Sequence, residues 1–205
     1  MKNILLVLLI AVALSLCNLS ERFKKSSSGS GPSAGGSSRS VETGKPTAEQ
    51  LASLAGGKEV AWDKQGMSWT IPPNWTETTN ESKMFVMRSP GGGNAASLIV
   101  NISPMDEAFP ADSSIQAFFD GAESRARNGE VDEVKWVEID GLKGVQFREA
   151  NPERPDNPRR LQWMAYRKYT GQLQLINVML ASEGKDFERH KNSMYGILYS
   201  MKVAH

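Results

Sequence analysis

Two stretches of this chain have very little freedom in how they pair. Val134 to Ile139 and Leu142 to Arg148 flank Asp140-Gly141, and Arg160 to Tyr169 and Gln172 to Ala181 flank Thr170-Gly171. A two-residue connection ending in glycine suits the left-handed backbone of a tight hairpin, so each pair of flanking segments must run antiparallel. Ile176-Asn177-Val178-Met179-Leu180 is apolar enough for an interior strand covered on both faces. Four strands in two hairpins are therefore the frame around which the remaining elements must pack.

Those elements are legible from their periods. Met67-Ser68-Trp69-Thr70-Ile71 alternates with period two and ends at Pro72-Pro73, after which Trp75 folds back over the core. Lys83 to Arg88 and Ala96 to Ser103 read as a strand pair joined through Ser89-Pro90-Gly91-Gly92-Gly93-Asn94. Three helices are expected. Thr47 to Leu54 is short, and a second is capped by Asp112-Ser113-Ser114, carries Ile115, Phe118, Phe119, Ala122 and Ala126 on one stripe, and stops at Gly129. The last runs from Lys185 to Met201, with Phe187, Met194, Ile197, Leu198 and Met201 sharing a face. Together these predict an α+β fold, an α/β sandwich with one antiparallel sheet covered by two main helices.

Ahead of this domain the composition changes twice. Lys2 precedes an unbroken apolar run, Ile4 to Leu16, too short to span a bilayer comfortably and of the length that suits an export signal. Residues 26–46 are almost all small or polar, and such a stretch cannot bury enough surface to offset the entropy of ordering. The expected organisation is a signal peptide or membrane anchor over 1–17, a flexible Ser/Gly-rich linker over 18–46, and a domain over 47–205. A coil of the linker's length reaches on the order of 25–30 Å. Setting aside Lys2, Arg22, Lys24, Lys25 and Glu21 from the 24 basic and 23 acidic residues leaves a slightly acidic domain. Nucleic acid is thereby excluded as the primary partner.

Cys17, the only cysteine, closes the apolar run and has no internal partner for a disulfide. Leu14-Ser15-Leu16-Cys17 resembles the lipobox of bacterial lipoproteins, in which the cysteine carries lipid and becomes the mature N-terminus. It departs from that pattern at Leu16, where a small residue is usual. Lipidation at Cys17, an uncleaved signal anchor, and cleavage after Ser15 with release are the three outcomes; the first two tether the domain to a membrane.

The domain itself resembles the PsbP/DcrB-like group. Gly66-Met67-Ser68-Trp69-Thr70-Ile71-Pro72-Pro73-Asn74-Trp75 is similar to that family's opening strand and PxxW segment. Ile139-Asp140-Gly141-Leu142 is similar to its mid-domain hairpin, and Tyr199-Ser200-Met201-Lys202 to its closing segment. The resemblance spans about Trp62 to Val203. It implies an exported, often lipid-anchored, non-enzymatic domain that binds or stabilises larger assemblies, and it transfers no catalytic residue and no cofactor.

Catalytic sets are thin along the sequence. His190 and Asp186 share a helix face without the further ligands that a metal site needs. Gly91-Gly92-Gly93-Asn94 lacks the lysine and the helix of a phosphate loop. Asp106/Glu107 and Asp132/Glu133 are sequence neighbours, which point apart in a strand. Arg154, Arg159 and Arg160, around the proline-rich stretch NPERPDNP, form the one patch of forked donors that suits a carboxylate or phosphate partner, and they are the expected partner-binding residues. The reading is a non-catalytic, membrane-tethered cell-envelope domain with a protein partner. The alternative is a small-ligand-binding protein or weak hydrolase with a pocket between sheet and loops. Mass spectrometry of the mature N-terminus from bacterial membranes is expected to find lipid-bearing Cys17. An intact Met1 identifies an uncleaved anchor, and an N-terminus at Leu16 means the domain is released.

Overall fold

The structure is a computed structural model that describes residues 40–204. In chain order the elements are β1 (Glu42–Thr43), α1 (Ala48–Ala52), β2 (Lys58–Trp62), β3 (Met67–Ile71), β4 (Thr76–Asn80), β5 (Met84–Arg88) and β6 (Ser97–Pro104). They continue with α2 (Ala111–Arg127), β7 (Val131–Ile139), β8 (Leu142–Glu149), β9 (Pro158–Tyr169), β10 (Gln172–Glu183), α3 (Gly184–Tyr199) and β11 (Lys202–Val203). Both hairpin turns adopt the expected geometry. Asp140 and Gly141 have φ of 49° and 83°, and Thr170 and Gly171 have 48° and 82°. Two left-handed residues in succession match the twist of the flanking strands.

The expected single antiparallel sheet under two helices is not what forms. An eight-stranded sheet in the order β1-β7-β8-β9-β10-β6-β5-β4 is mixed, because β1 pairs with β7 in parallel. A second, three-stranded sheet, β11-β3-β2, stands apart from it, and three helices complete the domain. The discrepancy has a simple cause. Alternation identifies β3 as a strand, but its partners are β2 and the last two strand residues of the chain, which carry no periodic signal of their own. The linker assignment also ends too late, since Glu42 and Thr43 pair with Val137 and Glu138 and Gly44 donates its N–H to Glu138 O at 2.8 Å. A third difference lies at α2, which starts at Ala111 with Pro110 in the cap position, so Asp112 sits in the first turn rather than capping it.

The large sheet separates two cores. On one face α2 covers β7, β8 and β9, with Phe119 stacked on Trp136 at 4.9 Å and Val145, Phe147 and Met164 beneath it. On the other face lies the main core, roofed by α3, α1 and the small sheet. There Phe85 lies between Trp62 and Trp69, with ring centroids 5.7 and 5.4 Å away. Buried Arg167 joins the two sheets, donating to Gln174 Oε1, to Gln65 O and Oε1, and to Ala204 O from beneath the ring of Tyr169. Burial lowers its pKa from the usual arginine value. The hairpin residue Asp140 accepts the Val203 N–H at 2.8 Å and so seats β11.

One glycine is set by packing alone. A Cβ on Gly144 would lie 2.5 Å from Met164 O and 2.5 Å from the Trp163 ring. The missing side chain lets the Trp163 indole cross the strand and donate to Val137 O at 3.1 Å. Gly144→Ala is therefore expected to cost about 1–3 kcal/mol, the usual range for overpacking. Denaturant unfolding monitored by tryptophan fluorescence checks this, and an unchanged midpoint would show that the indole moves freely.

Candidate functional site

The site begins with an irregularity in β7. Val131 pairs with Glu149 and Glu133 with Arg148, so Asp132 is an extra residue in the ladder. A bulge of this kind re-aims side chains. Asp132 and Glu133, expected to point apart, instead converge on Arg148, whose Nε lies 2.7 Å from Asp132 Oδ1 and whose Nη1 lies 3.2 Å from Glu133 Oε2. The other Asp132 oxygen takes Arg159 Nη2 at 2.6 Å.

Glu133 is the hub of the neighbouring cleft. Its carboxylate accepts Tyr195 Oη at 3.0 Å and Gln146 Nε2 at 2.6 Å, and Lys135 Nζ stands 3.6 Å away. Arg148 Nη1 also donates to Tyr195 Oη at 2.9 Å, and Tyr199 Oη donates to Gln146 Oε1 at 2.9 Å. Three segments distant in sequence enclose this cluster. β7 and β8 supply the floor with Glu133, Lys135 and Arg148; α3 supplies Lys191, Asn192, Tyr195 and Tyr199. The chain from Glu42 to Gln50 forms the facing wall, and the space enclosed is about 330 Å³. Glu42 anchors that wall to the floor through Lys135 Nζ at 3.0 Å. Gly44 allows the close approach, since a Cβ there would meet Ile139, Tyr199 and Val137 side chains at 2.9–3.1 Å. Thr47 caps α1 through a reciprocal pair with Gln50, which stiffens the wall's far end.

Four of these groups have their pKa raised. Burial and the Glu133 charge push the Tyr195 phenol well above the usual tyrosine range, and burial also raises Tyr199. Burial pulls Lys135 down, but the Glu42 hydrogen bond and the charges of Glu133 and Glu42 hold it above its usual value. Arg148 follows the same pattern, with burial outweighed by the Asp132 hydrogen bond and neighbouring charges. The upward shifts keep Lys135, Tyr195 and Tyr199 protonated at neutral pH.

The three arginines singled out in the sequence do not form one patch. Arg159 and Arg160 are strand neighbours and face opposite sides of the sheet. Arg159 is 3 % exposed and wholly engaged: Nε donates to Glu149 O, Nη1 to Glu188 Oε1 and Nη2 to Asp132, with Phe187 4.3 Å beneath its plane. Arg160 lines a separate cleft of about 480 Å³ between the α2 terminus and the proline-rich loop, and its Nε stands 3.5 Å from Glu149. Arg154 lies exposed on that loop, where its carbonyl accepts the Asn157 N–H. Cys17 falls outside the described residues. His190 and Asp186 make no joint site, because Asp186 is engaged by Arg189 at 2.9 Å. Among the described residues no group of three or more His, Cys, Asp or Glu side chains is placed to hold a metal.

Sequence pattern does not single out Glu133, Lys135, Arg148 or Tyr195 as a site. Glu133 and Lys135 alternate with Val134 and Trp136, which reads as a solvent face. The one available signal is Tyr195 and Tyr199, four apart on a helix edge and therefore neighbours on one face.

No protein-family model matches the chain, and no curated protein matches it in sequence. Solved structures do. LpqN of Mycobacterium tuberculosis, described as involved in cell envelope biogenesis, has a TM-score of 0.53 at 7% identity, over 73% of this chain and 86% of its own. The solution structure of the cyanobacterial PsbP protein CyanoP from Synechocystis sp. PCC 6803 follows at 0.45 and 15% identity, over 72% of this chain and 92% of its own. The Ran-binding protein Mog1p of Saccharomyces cerevisiae scores 0.38 at 12% identity, over 72% and 95%. The LpqN likeness shows a shared fold; the other two are too distant to carry weight.

Arg159→Ala is expected to destabilise the domain by about 1–3 kcal/mol, because Glu149 O, Asp132 and Glu188 each lose a hydrogen bond to a charged donor. Arg160→Ala, at a half-exposed pair, should cost no more than about 1 kcal/mol. Equal losses in urea unfolding would show that Arg159 is not the structural tie. Acid gives an independent readout. Partial burial pushes Glu188 upward, but its bonds to Lys191 and Arg159 win and depress its pKa. Its contribution is therefore complete above the unfolded glutamate value and lost as pH falls through the lower folded value. Stability of the wild type should decline across that acidic window more steeply than that of Arg159→Ala.

Proposed function

We propose that this chain is an exported, membrane-tethered binding domain of the cell envelope, and that the cleft between the 42–50 wall and α3 is its recognition site. The carrying observation is the cleft itself: ionisable side chains from three distant segments converge on one space, already oriented by mutual hydrogen bonds. Such preorganisation lowers the ordering cost of binding. A concave site with a few fixed polar groups favours a small ligand, or one chemical group of a larger one, over a broad protein contact. Tethering is supported by the Lys2 to Cys17 segment and the Ser/Gly-rich stretch after it. The envelope assignment is supported by the fold shared with LpqN and by the PsbP/DcrB-like resemblance of the domain. Binding without chemistry is favoured because Lys135 and the two tyrosines are held in their protonated forms.

Photo-crosslinking in native membranes tests the site. p-Benzoylphenylalanine placed at Asn192, exposed on the α3 side of the cleft, is expected to give a specific adduct, while the same group at Gln116, exposed on α2, gives none. Adducts from Gln116 alone would overturn the assignment.

A further inference from the structure

The cleft carries more positive charge than its own carboxylates neutralise. Lys45, Lys135, Arg148 and Lys191 line it, against Glu42 and Glu133. Arg148 is spent on Asp132 and Glu133, and Lys191 leans on Glu188 at 3.2 Å, itself shared with Arg159. Lys135 is divided between Glu42 and Glu133. Lys45 pairs with no carboxylate among the described residues. The Glu42 side chain is 56% exposed and sits on the two-residue strand β1, so it is the carboxylate most easily displaced.

Resting on the cleft as recognition site, we propose that it binds a phosphate group, held between Lys45 and Lys191 above Lys135, with Glu42 as an internal competitor for that position. The type of cation decides the class of anion. An arginine fork suits a planar carboxylate, and the fork available here, Arg148, already has its edges occupied. The other cations lining the cleft are three lysines, compact point charges whose donors rotate freely and suit a tetrahedral anion, and the Asn192 amide lies next to Lys191 on α3. The charge also matches. Lys45 leaves one positive charge unpaired, and displacement of Glu42 frees a second on Lys135, enough for a phosphate monoester or the single charge of a diester. The phosphate has two possible sources, a soluble phosphate ester or a phospholipid headgroup near the tether.

The test uses the full chain in neutral detergent and isothermal titration with four probes: glycerol 3-phosphate, dihexanoyl phosphatidylglycerol below its micellar concentration, the matching phosphatidylcholine, and acetate. Saturable binding of glycerol 3-phosphate assigns a soluble ester; binding of phosphatidylglycerol but not phosphatidylcholine assigns a headgroup. In either case Lys45→Ala with Lys191→Ala should weaken binding at least about tenfold, while Lys45→Arg keeps it. Arg160→Ala, in the other cleft, leaves it unchanged. Glu42→Gln should tighten binding by about fivefold, since an exposed pair worth about 1 kcal/mol no longer competes. A merely structural role for Glu42 predicts the opposite sign. Phosphate binding that survives the double lysine change overturns the site. Acetate binding without phosphate binding overturns the phosphate class and leaves the cleft as the recognition site. Silence from every probe overturns this proposal, and silence at Asn192 in the crosslinking experiment as well removes the recognition site with it.

Discussion

The guanidinium of Arg159 is the tie on which the candidate site depends. Its three nitrogens reach the β8 backbone, the β7 bulge and α3, and its flat face rests on Phe187. A lone buried cation would be far too costly, so the surrounding acceptors must hold their places for the fold to persist. That requirement propagates. Asp132 must point inward to meet Arg159, which brings it beside Arg148. Arg148 in turn orients Glu133 and Tyr195, the two groups at the back of the cleft.

The bulge in β7 is what makes this chain of contacts possible. A regular strand would send Asp132 and Glu133 to opposite faces, and Arg148 would lose one of its two carboxylates. An extra residue at the start of the strand places both on the α3 side, while Trp136 further along still faces α2. The cleft thus lies where β7, next to the short parallel edge strand β1, is irregular. The residues of β1 directly follow the Ser/Gly-rich stretch in sequence, so the cleft wall and that stretch are contiguous along the chain.

Much of the fold is legible in local sequence pattern. The hairpins around Asp140-Gly141 and Thr170-Gly171, the Met67–Ile71 strand, the apolar stripe of α3 and Trp75 as a cover all lie where that pattern places them, and so does the α2 stripe except at Phe118, which is exposed. Each rests on a short-range rule: turn chemistry, a period of two, or a period near 3.6. The site is barely legible. Arg159 and Arg160 look alike as neighbours in a proline-rich stretch, yet strand alternation sends one into the core and the other to a different cleft. Glu133 and Lys135 look like a solvated face because nothing local reveals that a helix 60 residues later lies against them.

By itself, then, the sequence determined the three helices and seven of the eleven strands among the described residues, where the two hairpins turn, and that a charged start, an apolar run and a Ser/Gly-rich stretch precede the domain. These are properties of residues close together along the chain, where turn geometry and side-chain period act directly. Only the tertiary structure decided that there are two sheets rather than one, that Glu42 and Thr43 belong to the folded body, and that four cations and two carboxylates share a cleft. Those outcomes depend on which faces meet and on a single extra residue in β7. Both are set by packing between segments far apart in sequence, where composition and periodicity carry no information.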